Sequence, residues 1–262
     1  MVWHFGFEPL WPLVLNGSMA NSVSEALLEA AQVLVDDLAK LEFAAPVACV
    51  YNPLVYAWDL HSRYVRTYAP EAGCKAVFLG MNPGPWGMAQ TGVPFGEIPA
   101  VRDWMGLSGS VEKPAVEHPK RPIEGLACER SEVSGRRLWG LFADTFGSAE
   151  SFFANHFVIN YCPLVFMAES GANLTPDKLP AAERKAIERF CDLHLARVIE
   201  ALKPERVIGV GGFARKRAEQ TLKAYGPEVQ LGTLLHPSPA SPIANREWPH
   251  KPLQQLQEMG LC

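Results

Sequence analysis

The protein has 262 residues, and its 28 Asp and Glu against 24 Lys and Arg leave a formal net charge of −4. That excludes a nucleic-acid binder working as a bulk polycation. Apolar residues make up 48% and charged residues 20%, and the 21 glycines and 22 prolines stay below the roughly 25–30% share that suggests disorder. No apolar run approaches the roughly 20 residues needed to cross a bilayer, so no membrane association is expected.

The first basic residue is Lys40, so the opening MVWHFGFEPLWPLVL lacks the positive region of a secretory signal and the arginines of a mitochondrial presequence. A protein that is not secreted is expected, cytoplasmic in a bacterium or nuclear in a eukaryote. Asn16-Gly17-Ser18 then has no role as a glycosylation sequon, and Met19 offers an alternative start. Residues 1–18 are read as an extension, and 19–262 as a single domain. The six cysteines, at 49, 74, 128, 162, 191 and 262, form no C-x-x-C and no close His pair. Reduced thiols are expected rather than a metal site.

In chain order, Ser22 and Glu25 make a capping box for an amphipathic helix over Val23 to Leu41. A Pro- and aromatic-rich connector runs from Pro46 to Tyr68. Four short apolar runs follow, Ala76–Gly80, His156–Tyr161, Arg206–Val210 and Val229–Leu235, each suited to a strand buried on both faces. Helical stretches lie between them at Val133–Phe146, Ala181–Leu202 and Ala214–Ala224, while Ser108–Arg130, with three prolines, reads as a surface excursion. Strands alternating with helices predict an α/β three-layer sandwich around a four-stranded, mostly parallel sheet.

Ligands of such sheets sit beyond the carboxyl ends of the strands, so the residues after each run matter most. After the first comes Gly80-Met81-Asn82-Pro83-Gly84-Pro85-Trp86-Gly87-Met88 and onward to Gly96, a Gly- and Pro-rich loop that is either a structural turn or a close backbone approach to a ligand. After the second comes Asn160, whose amide, donor and acceptor together, suits a nucleobase edge or a turn. The third gives Gly209-Val210-Gly211-Gly212. It departs from the dinucleotide fingerprint, so its helix start with Arg215, Lys216 and Arg217 is read as a place to meet a phosphate. After the fourth, His236 leads a loop stiffened by Pro237, Pro239 and Pro242.

Together, Gly80-Met81-Asn82-Pro83-Gly84-Pro85, Gly87 to Gly96, Asn160-Tyr161-Cys162-Pro163-Leu164 and His236-Pro237-Ser238-Pro239 resemble the single-strand-selective monofunctional uracil-DNA glycosylases of the uracil-DNA glycosylase superfamily. Tyr51-Asn52-Pro53, Tyr56-Ala57-Trp58 and Val101-Arg102-Asp103-Trp104 extend the resemblance from about residue 25 to the end. It implies a four-stranded parallel sheet, no metal, no cofactor, and hydrolysis of uracil from single- or double-stranded DNA, with free uracil and an abasic site as products. By the same resemblance Asn82 positions water and His236 stabilises the leaving base. Met81 supplies a backbone donor, Phe95 stacks on the base, Asn160 reads its edge, and Gly84 and Met88 border C5. The glycine leaves room there, so 5-hydroxymethyluracil is expected to be accepted through an ordered water while thymine is poor.

The loop Pro237-Ser238-Pro239-Ala240 is expected to wedge into the duplex, with Arg215 and Arg246 at the backbone. Here the chain departs from the family's pattern. Ala240 stands where the family often has an arginine, which predicts a weaker wedge and relatively better action on single strands. No lysine lies in the motif loops, so no Schiff base and no strand cleavage are expected. A monomer acting on DNA is the expected state. The competing readings are a non-catalytic binding module for damaged or single-stranded DNA, and a small-molecule enzyme whose glycine loops hold a nucleotide.

Overall fold

The computed structural model describes residues 22–226 and 228–262; the extension at 1–18, the Asn16 sequon and Met19 lie outside the described residues. The first half of the chain contributes α1 (Val23–Leu38), β1 (Cys49–Tyr51), α2 (Pro53–Tyr56), α3 (Trp58–Tyr68), β2 (Ala76–Gly80), α4 (Met88–Thr91) and α5 (Val133–Phe146). Then come α6 (Ala149–Phe153), β3 (His156–Asn160), β4 (Val165–Met167), β5 (Asn173–Leu174), α7 (Ala181–Leu202) and β6 (Arg206–Val210). The chain ends with α8 (Gly212–Tyr225), β7 (Gln230–Leu234), α9 (Pro242–Glu247) and α10 (His250–Glu258).

Four strands make one wholly parallel sheet in the order β3-β2-β6-β7. Every residue of β2 and β3 is buried, as apolar runs without alternation require when helices cover both faces. Successive residues serve opposite faces. Phe78 meets an aromatic cluster from α5 and α6, including Phe142 and Phe152, whose rings stack at 4.3 Å. Val77 pairs in register with Phe157, which stacks on Tyr64 of α3 at 5.1 Å. The Tyr64 hydroxyl also donates to the Val158 carbonyl at 2.8 Å, so α3 is fastened to the sheet by a buried hydrogen bond as well as by packing.

The chain leaves β2 for β3 on one side, then crosses to β6 on the other, so the order reverses at β2. A crevice opens at such a reversal, beyond the carboxyl ends of the strands. The helix at 23–41 ends three residues earlier than its pattern suggests, at Leu38, and its N-terminus is capped by the Ser22 hydroxyl, which accepts from the Glu25 N–H at 3.3 Å. The connector at 46–68 is structured: it holds β1, α2 and α3. A second, antiparallel sheet of β1, β4 and β5 was not expected at all. Tyr51 of β1 pins the 108–130 excursion, donating to the Arg121 carbonyl at 2.8 Å and accepting from the His118 N–H at 2.7 Å.

Candidate active site

The carboxyl ends of β2 and β3 are level, Gly80 opposite Asn160, and their ladder continues past the strands. Tyr161 N–H donates to the Gly80 carbonyl and Cys162 N–H to the Met81 carbonyl, both at 2.9 Å. This zips the two loops together and brings Asn82 beside Leu164, whose carbonyl accepts from Asn82 Nδ2 at 3.3 Å. With its donor fixed, the Asn82 amide has its oxygen left to hold a ligand. Asn82 and Met81 are half-buried at the mouth of the crevice.

Gly80 is the point where two predicted site residues meet. A Cβ there would lie 2.2 Å from Asn160 Oδ1 and 2.6 Å from Phe95 Cε2, so only bare backbone lets the amide and the ring converge. Asn160 is buried, and its Nδ2 donates to the Met88 sulfur at 3.1 Å, a soft acceptor that a better one would displace. Phe95 sits at φ +53°, a conformation that disfavours residues with a side chain. Its carbonyl is over-determined: Trp139 Nε1 donates to it at 3.1 Å and the Glu97 N–H at 2.7 Å. Helix α5 also presses in through Gly135, where a Cβ would be 2.1 Å from that oxygen. The ring is thereby aimed rather than merely packed.

His236 arrives from the far side, two residues past β7, with its ring centroid 6.5 Å from that of Phe95. Gly211, at φ +91°, lies beneath it, and a Cβ there would be 3.1 Å from His236 Cβ and Cδ2. Gly211 therefore seats the histidine. Ser238 N–H donates to His236 Nδ1 at 3.1 Å. A nitrogen that accepts carries no proton, so the ring is neutral with its hydrogen on Nε2. Burial acts in the same direction, lowering the imidazolium pKa. Two other histidines are turned into backbone carbonyls, His61 toward Gly92 at 2.8 Å and His194 toward Ala30 at 3.2 Å, and burial depresses both to about 4.

Beyond His236 the loop bends on itself. Pro237 is buried, the Ser238 hydroxyl accepts from the Ala240 N–H at 3.1 Å, and Pro239 and Ala240 are exposed at its tip. Arg137 of α5 was missed by the sequence reading, and it braces this loop. Its guanidinium donates to the Pro237 carbonyl at 3.1 Å and to Asn245 Oδ1 at 2.9 Å, while Asn245 Nδ2 donates to the Pro239 carbonyl at 2.8 Å. Arg246 is exposed one residue further on.

The basic run at 215–217 needs correcting. Arg217 is buried and ion-paired with Glu188 at 3.1 Å and Asp192 at 2.5 Å, so it is a packing residue and not a phosphate ligand. Arg215 is half-buried, its backbone against Gly209, with Nη1 3.5 Å from the Thr233 hydroxyl of β7. Two further groups flank the Asn82 loop without having been anticipated. Fully buried Gln90 ties the loop to the 108–130 excursion, donating to the Pro85 and Pro122 carbonyls at 3.1 and 2.9 Å. Trp86 carries Arg121 and Arg130 over its ring, at 5.2 and 4.7 Å. A separate groove of about 350 Å³ between α1 and β1 is lined by Val35, Leu38, Phe43 and Cys49. Its lining has no acid, base or imidazole, unlike the crevice beyond the carboxyl ends of the parallel strands.

An aromatic face, a buried amide and a neutral imidazole converging at the switch point of a parallel α/β sheet define a slot for a planar ring with polar edges. The profile of the Uracil DNA glycosylase superfamily matches residues 67–257, and the chain belongs to that superfamily. It is 50% identical over 242 residues to the single-strand selective monofunctional uracil-DNA glycosylase of Rattus norvegicus, covering 92% of this chain and 87% of the relative. The Bos taurus counterpart is 49% identical over 254 residues, covering 97% and 93%. The crystal structure of wild-type Pedobacter heparinus SMUG2 shares the fold, with a TM-score of 0.62 at 17% identity over 92% of this chain and 95% of that one.

Proposed function

We propose that the protein is a monofunctional DNA glycosylase, with residues 19–262 as one domain, that hydrolyses the N-glycosidic bond of uracil in single- and double-stranded DNA. The observation that carries this reading, in a chain of this superfamily, is the meeting of the Asn160 amide and the Phe95 ring at Gly80. The target base must leave the stack to be reached. Phe95 then offers a π-face that any base accepts, so it supplies affinity without choice. Asn160 supplies the choice. Uracil's N3–H can donate to Oδ1 while its O4 accepts from Nδ2, whereas cytosine's amino group would meet the amide's own donor and leave both unsatisfied.

Bond breaking leaves negative charge on uracil and positive charge on the sugar. His236, neutral and donating from Nε2, strengthens its bond to uracil O2 as that charge develops, which raises rate rather than affinity. The backbone N–H of Met81 is a second donor. Asn82 holds the attacking water through Oδ1 but, being an amide, cannot take its proton at neutral pH. Cleavage of the glycosidic bond therefore runs ahead of attack. The tip residues Pro239 and Ala240 enter the duplex as a short wedge, with Arg246 and Arg215 the cations nearest the DNA backbone, and the enzyme works as a monomer without metal or cofactor.

The test is base release from a labelled uracil oligonucleotide, read by alkali cleavage, for the wild type beside Asn82→Ala and His236→Ala. The expected result is abasic-site formation by the wild type and a loss of at least about 10²-fold in each variant. Binding by the wild type without abasic sites would instead establish a non-catalytic module.

A further inference from the structure

Behind the Asn82 loop lies a buried carboxyl that the reaction above does not use. Glu132 precedes α5, and its Oε1 is 2.8 Å from where a Cβ of Gly84 would stand, its Oε2 1.6 Å from that of Gly87. Only glycine at both positions admits the group. Oε2 is sealed from solvent and has no hydrogen-bond partner among the described residues. Such a group is rare in a native interior and points to a ligand or a task. Burial, together with the nearby Glu97 carboxylate, raises the Glu132 pKa to about 7, so below that pH it carries an O–H to donate and above it only accepts.

The orientation of a bound uracil fixes what this group would face. Asn160 Nδ2, the donor for O4, touches the Met88 sulfur at 3.1 Å, and His236 holds the opposite, O2 side. C5 adjoins C4 and lies away from O2, so it is turned toward Met88 and the adjoining Gly87, which caps α4. Beyond Gly87 and Gly84 stands Glu132.

We propose that Glu132 is a specificity-determining residue: its carboxyl, admitted by Gly84 and Gly87, forms the hydrogen-bonding wall on the C5 side of the slot and selects uracils bearing a small oxygen group there, directly or through one water. The proposal rests on the glycosylase reading. A hydroxymethyl or formyl oxygen satisfies the buried acid, whereas a methyl covers it and offers nothing, which separates oxidised uracils from thymine by chemistry as well as by size. The charged groups around it are few. Residues 81–87 contain none, Glu97 is held by the Ser131 hydroxyl at 2.6 Å, Arg136 reaches that hydroxyl at 3.2 Å, and Arg121 and Arg130 are drawn to Trp86.

The experiment compares kcat/KM for uracil, 5-hydroxymethyluracil and 5-formyluracil in one oligonucleotide, from pH 6 to 8.5, for the wild type, Glu132→Gln and Glu132→Ala. The alanine variant is expected to lower the hydroxymethyluracil-to-uracil ratio about tenfold, the worth of one good hydrogen bond. A formyl group only accepts, so its ratio to uracil in the wild type should fall as pH rises through about 7, relative to the glutamine variant, which keeps a donor at every pH. Equal losses on all three substrates in Glu132→Ala would make the residue mere packing and overturn the proposal. If that variant fails to fold, Glu132→Gln decides: a formyl ratio that tracks pH as in the wild type overturns it equally. A wild type that released no uracil would sink the glycosylase reading instead, a different outcome from uracil release with unchanged selectivity.

Discussion

Gly80→Ala adds one methyl group at the junction of the slot. Ordinary contact for a Cβ begins near 3.4 Å, whereas the new atom would lie 2.2 Å from Asn160 Oδ1 and 2.6 Å from Phe95 Cε2. The amide must therefore retreat by about 1.2 Å and the ring by about 0.8 Å. Both obstacles are side-chain ends, so the chain still folds, at the cost of about 1–3 kcal/mol usual for overpacking. Function should suffer more. Displacing the recognising amide by about 1 Å forfeits two aligned hydrogen bonds, and misplacement of that size costs on the order of 10²-fold, or about 2.7 kcal/mol in kcat/KM. Single-turnover uracil release with thermal unfolding alongside would measure both effects. Gly209→Ala is the comparison, since its Cβ would meet the Arg215 backbone nitrogen of α8 at 2.2 Å rather than the Asn160 amide or the Phe95 ring, and it should cost stability first. Gly80→Ala retaining uracil release within about threefold of the wild type would refute the convergence of Asn160 and Phe95 as the recognition element.

Arg137→Ala removes the donors to Pro237 and Asn245 that brace the His236 loop. It should lower kcat about tenfold with little change in KM, as expected for a positioning residue acting on the transition state. Arg137→Lys should recover part of the loss, and an unchanged kcat would count against the brace. For His236, burial holds the imidazolium pKa below its usual 6.5, and the Ser238 N–H also favours the neutral ring. The acid limb of the kcat profile should therefore have its midpoint below 6.5. Stability moves with the same sign: the folded state binds fewer protons than the unfolded one below that pH, so this contribution is present above 6.5 and is lost as pH falls. An acid limb centred above 6.5 would mean that the imidazolium is not the inactive form. Ala240→Arg, at the exposed loop tip, should raise release of uracil from duplex DNA several-fold while leaving single-stranded substrate unchanged; no gain on duplex would show that the tip does not act as a wedge.

The strands of the parallel sheet were legible because each is a short, continuous apolar run, the pattern that burial on both faces demands. The second sheet was not, because β1, β4 and β5 have three residues or fewer, too short for an alternation to declare itself. Helix α3 was hidden by its composition, although Leu60, His61, Tyr64, Val65 and Tyr68 are buried at helical spacing and would have betrayed it. Asn82, Asn160 and His236 stand at strand ends, where the general rule for open α/β sheets directs attention. Phe95 lies well past the end of β2 and was reached only through the family resemblance. Glu132 and Arg137 left no local signal, since what makes them matter is closeness to loops up to a hundred residues away. Arg217 misled for a related reason. Three basic residues at a helix start read as a place to meet a phosphate, but two helical steps from Arg215 turn Arg217 inward onto Glu188 and Asp192.

The groups set to meet the base are neutral at rest: two amides, a phenyl ring and a histidine held as the Nε2–H tautomer, while burial raises the Glu132 pKa to about 7. The net charge of −4 therefore says little about the chemistry, because the groups proposed to hold the base and its leaving charge carry none of it. Uracil enters such a slot uncharged and departs as an anion. A fixed cation would stabilise that anion but would have to be kept desolvated in the empty slot, at a cost felt throughout the catalytic cycle. In the proposed reaction, neutral donors to O2 and O4 require no such payment, and they gain strength as charge develops on the leaving ring. Their benefit thus falls on the transition state rather than on the bound base. In that proposed reaction the strained Phe95 backbone, the two bare glycines at 80 and 211 and the Arg137 brace serve the same end, since dipoles act at full strength only when they need not reorganise.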